Sequence, residues 1–209
     1  MPLANYLRAP MKMKIQIFAA FFLLCMLASF NSKPKWKSLF NGKDLTGWKS
    51  TGKATWEVKD GVITGTDGRG HLYADPVVGD LEIKGEFRIS SQGKNANGGL
   101  YIRANAPASD PEGFPHGYEA QICNTQDAFT GWLWKPGAPT GKASALLTKD
   151  GEWFPMRVEA RGSNIKIWVK NQLVMSHSDD EYKKGHFVLQ CHNAGMTFEA
   201  KNLYYRKLD

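Results

Sequence analysis

Cysteine is scarce: the chain has 3 among 209 residues and none spaced as Cys-x-x-Cys, so neither a disulfide scaffold nor a structural zinc site of the usual kind is available. No stretch of about twelve residues keeps a 3.6-residue apolar period, which excludes a coiled coil, and no internal repeat of about 20–50 residues is present. There is no run of five or more like charges and no zinc-finger or RNP signature, so the net charge of +7 does not read as a nucleic-acid footprint. Three of the positive charges, Arg8, Lys12 and Lys14, fall in the first 32 residues, where there is no acid. Without them 24 basic side chains face 20 acidic ones, a balance of +4. What remains is a chain with 42% hydrophobic and 22% charged residues, enough for one sizeable core, which excludes disorder and collagen. Its 7 Trp, 7 Tyr and 11 Phe, with 21 Gly and 10 Pro, favour strands cut by tight turns over long helices.

The amino terminus reads as an export signal over residues 1–32. Lys12 and Lys14 precede an apolar run from Ile15 to Phe30, and Ala28 and Ser29 offer a small-residue cleavage point. A start at Met11 or Met13 would make the signal cleaner. The run is short for a membrane span, so the mature chain is expected to carry none. Cys25 is a poor lipidation site because Leu24 stands where a small residue should precede it. The expected location is therefore periplasmic or extracellular.

Residues 33–209 read as one all-β domain. Short apolar or alternating segments recur about every ten residues, each closed by Gly, Asn, Asp or Pro, as in sandwiches and barrels. The spacing predicts strands at Trp56–Val58, Val62–Gly65, His71–Ala74, Asp80–Ser90, Gly99–Ala104, Tyr118–Cys123, Trp132–Trp134, Pro155–Ala160, Ile165–Val169, Leu173–Ser176, Phe187–His192 and Met196–Arg206. At most a helical turn is allowed near Asp179–Lys183. In the strand from Asp80 to Ser90, Leu81, Ile83, Phe87 and Ile89 take one face and Glu82, Lys84, Glu86 and Arg88 the other. Strand parity puts Cys123 and Cys191 in different layers, so they are expected as buried thiols without a disulfide.

The same alternation sets Arg103, Glu119, Gln121, Gln190 and His192 on one polar face. A wet face of an antiparallel sheet would account for polarity alone. The residue types go further, since they bring fork-shaped donors, a carboxylate and a titratable ring. Trp132 and Trp134, two apart, would share a face if extended and offer flat aromatic stacking surfaces, with core packing as the alternative. The Pro-rich stretch from Ala106 to His116 is expected to loop over the site. His71 and His116 read as loop or edge residues, with a ligand or relay role as the alternative.

The ordered segments LFNGKDLTGW (39–48), WEVKDGVITG (56–65), DLEIKGEFRIS (80–90), GGLYIRA (98–104), GYEAQI (117–122), GHFVLQCHN (185–193) and TFEAKNLYYRKL (197–208) together resemble the 3-keto-disaccharide hydrolase family. The resemblance implies a concanavalin-like jelly-roll sandwich of two antiparallel sheets and bacterial export. It further implies action on glycosides whose sugar carries a ketone at carbon 3, by hydrolysis or by elimination across carbons 1 and 2. It carries a family Asn-Ser-Gly stretch onto Asn97, Gly98 and Gly99, its Arg onto Arg103, its Gly-Tyr-Glu-x-Gln onto Gly117 to Gln121, and its Gln-x-His onto Gln190 and His192. The chain departs from the pattern at Gly98, at Cys123 and Asn124, at Phe154, and at Asn171–Gln172 in place of an Asn-Gly hairpin turn.

Ordinary glycoside hydrolysis uses two carboxylates ~5–9.5 Å apart, and here only Glu119 precedes Gln121. A 3-keto sugar asks for less, because the ketone acidifies the proton on carbon 2 and the glycosidic oxygen can leave by β-elimination. Glu119 and His192 are the candidate acid and base, in either order. Arg103 is expected to hold the enolate oxygen or neighbouring hydroxyls, or to pair with Glu119 across adjacent strands. Asn97, Tyr101, Gln121, Gln190, Trp132 and Trp134 complete the expected sugar site. No cofactor is expected; ligands for a divalent metal would have to come from separate loops. The expected partners are a 3-keto-glycoside substrate and a separate NAD-dependent sugar oxidoreductase that makes it. A carbohydrate-binding module without catalysis is the alternative function.

Overall fold

The computed structural model describes residues 34–91, 95–110, 112–124 and 127–208, and in it the alternating segments become strands. In chain order they are β1 (Lys37–Ser38), β2 (Trp48–Gly52), β3 (Thr55–Lys59), β4 (Val62–Thr66), β5 (Gly70–Ala74), β6 (Leu81–Ser90), β7 (Asn97–Asn105) and β8 (His116–Cys123). There follow β9 (Leu133–Lys135), β10 (Ala138–Gly141), β11 (Phe154–Arg161), β12 (Asn164–Val169), β13 (Gln172–Ser178), β14 (His186–Cys191) and β15 (Thr197–Lys207). One sheet has the order β13-β12-β11-β6-β15-β4-β3, with β1 added alongside β15; the other has the order β10-β9-β8-β7-β14-β5-β2. All pairings are antiparallel, and the jelly-roll sandwich expected from the sequence is the fold observed.

The core lies between the sheets because each contributes its apolar parity. Ile63, Leu81, Ile83, Phe87, Ile89, Val158 and Phe198 from the first sheet meet Leu72, Leu100, Ile102, Ile122, Phe187 and Leu189 from the second. The polar set of β6 faces outward, where Glu82 is held by Arg157 and Arg206. Two-residue hairpin turns fix register: Asp60–Gly61 joins β3 to β4 and Lys170–Asn171 joins β12 to β13, all four residues at positive φ as a type I′ turn requires. The second turn therefore centres one residue earlier than Asn171–Gln172. Cys123 and Cys191 are buried and form no disulfide, and only Cys191 belongs to the main core.

Three short strands, β1, β2 and β10, have no counterpart in the sequence reading. No helix occurs among the described residues. The helical turn allowed at Asp179–Lys183 does not form because tertiary bonds hold the segment open. Asp179 accepts from the Tyr118 hydroxyl, from Lys135 and from the backbone of Glu181, and the Tyr182 N–H donates to the Tyr118 hydroxyl. The export segment expected over residues 1–32 lies outside the described residues.

Candidate functional site

Antiparallel register places side chains from successive strands opposite one another, so the outer face of the second sheet reads as rows across strands. One row runs Lys49, Tyr73, Val188, Tyr101, Glu119, Trp134 across β2, β5, β14, β7, β8 and β9. The next runs Thr51, His71, Gln190, Gly99, Gln121. Polar groups separated by more than a hundred residues of chain thus become neighbours.

Over these rows opens a cavity of about 420 Å³, lined by Asn97, Tyr101, Glu119, Gln121, Trp134 and His192, with Phe114, Pro115 and the Lys135–Gly137 turn completing its wall. That volume suits a small-molecule site. Phe114 and Pro115 come from the Pro-rich stretch expected to loop over the site. Phe114 packs its ring against His192 at 5.6 Å between centroids, with the Arg69 guanidinium 5.1 Å from its ring centre.

Glu119 is the only carboxylate among the described lining residues. It is 8% exposed, and burial pushes its carboxyl up to about 8, against the opposing pull of a hydrogen bond from Tyr101. The Tyr101 hydroxyl donates to Oε2 at 2.9 Å, while Oε1 is buried without a partner. Gly99 makes this possible: a Cβ there would lie 2.2 Å from Oε1. Behind Tyr101, the Gln190 amide Nε2 lies 3.0 Å from its hydroxyl and 3.4 Å from His71 Nε2. His71 is fully buried, and desolvation, helped by the charges of Arg69 and His192, lowers its ring to about 4. His192 is likewise held below its ordinary value by burial and by Arg69. Further buried polar atoms lack partners here: Asn97 Oδ1, Trp134 Nε1, Gln190 Oε1, His71 Nδ1 and the Tyr73 hydroxyl. Of these, Asn97 and Trp134 line the cavity and leave polar groups free to meet a ligand there.

The structure brings together Glu119, His192, Tyr101, Asn97, Gln121 and Trp134. Gln121 also donates to the Ala128 carbonyl at 3.3 Å. Gln190 lies beneath the cavity and does not line it. Trp132 does not line it either: it sits outside β9, packed against Phe129 with the Lys142 ammonium over its ring, because its own N–H bonds back to Phe129 and breaks the extended parity shared with Trp134.

Arg103 is the largest departure. β7 carries a bulge between Ile102 and Asn105, and Arg103 sits in it at φ 50°, turned off the polar face. Its guanidinium is 1% exposed, paired with Asp80 and donating to the carbonyls of Gly79, Gly162 and Tyr182. It touches neither Glu119 nor the cavity, and the expected pairing with Glu119 is replaced by the one with Asp80. His71, read from the sequence as a loop or edge residue, is instead fully buried on β5 between β14 and β2, and Tyr73 was passed over; parity could have shown both, since they oppose the core residues Leu72 and Ala74. His116, at the start of β8, is exposed. Among the described residues no group of His, Cys, Asp or Glu converges as metal ligands.

A family model described as the 3-keto-alpha-glucoside-1,2-lyase-like domain matches residues 35–208. The chain belongs to that family. The 3-keto-alpha-glucoside-1,2-lyase-like domain thus spans the entire sandwich, from before β1 to past β15, and the family is carbohydrate-active and glycosyl-hydrolase-like. The levanase of Bacillus subtilis (strain 168) is 23% identical over 158 residues, which is 75% of this chain and 22% of the levanase, so the chain spans about a fifth of that relative. A candidate glycosyl hydrolase from Parabacteroides distasonis ATCC 8503 superposes with a TM-score of 0.67 at 20% identity, covering 83% of this chain and 94% of the other. The carbohydrate-binding module CBM66 from Bacillus subtilis superposes at 0.63 with 19% identity, covering 77% and 96%. At these identities the two structures share the fold of this family domain.

Proposed function

We propose that the protein is an exported enzyme that cleaves 3-keto-glycosides by elimination across carbons 1 and 2. The observation that carries this reading is the pairing of one buried carboxyl, Glu119, with His192 at the same cavity, their environments displacing them in opposite directions. With the Glu119 carboxyl pushed up to about 8 and His192 held below its ordinary value, Glu119 is suited to donate a proton near neutral pH and His192 to accept one. A lone carboxyl is poor equipment for ordinary glycoside hydrolysis, whereas an acid and a neutral base suffice for elimination.

In the proposed reaction the His192 imidazole takes the proton from carbon 2. The electrons left behind form the bond between carbons 1 and 2, the carbon 1–oxygen bond breaks, and the proton of Glu119 passes to the departing oxygen. Asn97, Gln121 and the Trp134 N–H orient the sugar hydroxyls, and Trp134 offers its ring as a stacking face. The chain carries no cofactor of its own in this scheme. Because ordinary glycosides lack the ketone, it depends on a separate NAD-dependent sugar oxidoreductase to supply substrate.

The test is aglycone release from a panel of 3-keto-glycosides, with deuterium wash-in at carbon 2, for the parent, Glu119→Gln and His192→Gln. Each single variant is expected to lose about 10²–10⁴-fold in rate, and the double variant to be little worse, since the two act in one step. The parent rate should trace a bell in pH, rising as His192 loses its proton below 6.5 and falling above about 8 as Glu119 ionises. Near-parent rates in both single variants, or efficient cleavage of unoxidised glycosides, would refute the scheme. Sugar binding without turnover would make the domain a binding module instead.

A further inference from the structure

The side chain of Glu119 ends a buried hydrogen-bond chain that crosses three strands and finishes at His71 on β5. The Gln190 Nε2 contacts both the Tyr101 hydroxyl and His71 Nε2, while its Oε1 has no partner. An amide nitrogen is donor only, with two hydrogens, so it donates in both directions. In this orientation of the amide, His71 presents the Nε2 lone pair and carries its hydrogen on Nδ1, which has no acceptor among the described residues. The Tyr101 hydroxyl, having accepted from Gln190, has its single hydrogen for Oε2 of Glu119.

The opposite tautomer reverses the whole chain. With a hydrogen on His71 Nε2, the Gln190 amide would turn its oxygen toward both neighbours, Tyr101 would donate to that oxygen, and Oε2 of Glu119 would lose its donor. The state of a ring that does not line the cavity, and meets its wall only through edge contacts with Tyr101 and Phe114, thus decides which oxygen of Glu119 bears the acid proton. We propose that His71 is a positioning residue, whose Nε2 lone pair orients the Gln190 amide, commits the Tyr101 hydrogen to Oε2, and leaves the carboxyl's own proton on Oε1 beside Gly99. The inference rests on the reading of Glu119 as the acid of the site.

The surroundings keep the groups of this chain neutral. His71 is neutral above about pH 4 because it is buried and lies near the charge of Arg69, joined in acid by that of His192. The other titratable groups near the chain are Tyr73 on β5, Tyr101 on β7 and, in the cavity wall, Lys135, which is engaged by Asp179 and Glu181. Burial holds Tyr73 and Tyr101 above their ordinary values, so both stay protonated and neither offers His71 a competing charge. Thr51, the register partner of His71 on β2, has a buried hydroxyl of its own without a partner.

The experiment reads the ring and the carboxyl separately. Nitrogen NMR of the parent protein between pH 6 and 8 should show His71 Nε2 unprotonated; a hydrogen on Nε2 overturns the proposal. In protein labelled at the glutamate carboxyl carbons, the Glu119 signal is assigned by its loss in Glu119→Gln and its titration is followed. His71→Phe keeps a ring but no acceptor, so the Tyr101 bond that favours the charged carboxylate is lost. The midpoint and the alkaline limb of activity should then both move up, by on the order of one pH unit. His71→Gln, whose side-chain oxygen can stand where Nε2 stood, should titrate like the parent. An unmoved midpoint in His71→Phe overturns the proposal, and so does an equal shift in both variants, which is what lost packing alone would produce. Should His71→Phe not fold, the nitrogen measurement on the parent decides. A shifted midpoint in a protein that cleaves no 3-keto-glycoside would leave His71 as the positioning residue and remove only the proposed reaction.

Discussion

A carboxyl loses most of its solvation when it is enclosed, and Glu119 is enclosed with one donor in place of a shell of water. Its midpoint of about 8 lies above the ordinary 4.5, so over that interval the folded protein holds a proton that the unfolded chain releases. This contribution to stability is fully present below pH 4.5 and declines as pH rises to about 8, with a slope of at most about 1.4 kcal/mol per pH unit. Glu119→Gln has no group to titrate, so its stability relative to the parent should improve steadily across that window. Urea unfolding of both proteins at pH 5 and pH 8 checks this, and a pH-independent difference would mean that Glu119 is solvated. The identity of Glu119 as the central residue was legible from alternation, since Tyr118, Ala120 and Ile122 on the same strand enter the core. Its protonation was not, because that depends on Gly99 and Tyr101 on a neighbouring strand.

At the scale of the element, β7 shows where parity stops being a guide. Asn97, Gly99 and Tyr101 follow the alternation to the outer face, and then the bulge adds a residue and Arg103 leaves it. Gly98, where the family pattern has Ser, is on the core side: a Cβ there would lie 2.6 Å from the Gln190 carbonyl oxygen and 2.7 Å from the Phe198 ring, so that departure concerns packing and not the cavity. Arg103 ties β7 to the lead into β6 at Gly79 and Asp80, to the turn after β11 at Gly162, and to the loop before β14 at Tyr182. Arg103→Met should leave those acceptors unpaired and cost on the order of 3 kcal/mol in stability. The folded fraction should still cleave 3-keto-glycosides at close to the parent rate. Thermal melts and specific activity at a permissive temperature separate the two effects. Loss of activity with an unchanged melting point would return Arg103 to the chemistry.

Across the whole molecule the two outer sheet faces differ in kind. On the first sheet the charges satisfy one another: Glu82 with Arg157 and Arg206, Glu199 with Arg88, and cations over Trp36, Trp153 and Trp168. The second sheet instead carries a cavity where Asn97 Oδ1, Glu119 Oε1 and Trp134 Nε1 are buried without a partner, and the candidate site belongs to that face. The proposed export carries its own prediction about processing. Exported protein should start between Ser29 and Lys33, and intact mass checks this; retention of residues 1–28 would overturn it. By itself the sequence determined the all-β class, the inward and outward sets of β6, β8 and β14, and the candidacy of Glu119, Gln121 and His192. It could do so because a two-residue period is a local property of the chain. The tertiary structure alone decided that Arg103 turns away, that Trp132 packs elsewhere, that β2 and β5 carry Thr51 and His71 to the same row as Gln190, and that burial pushes the Glu119 carboxyl upward. Each of these depends on register and burial between strands distant in the chain, and neither quantity is contained in any one segment.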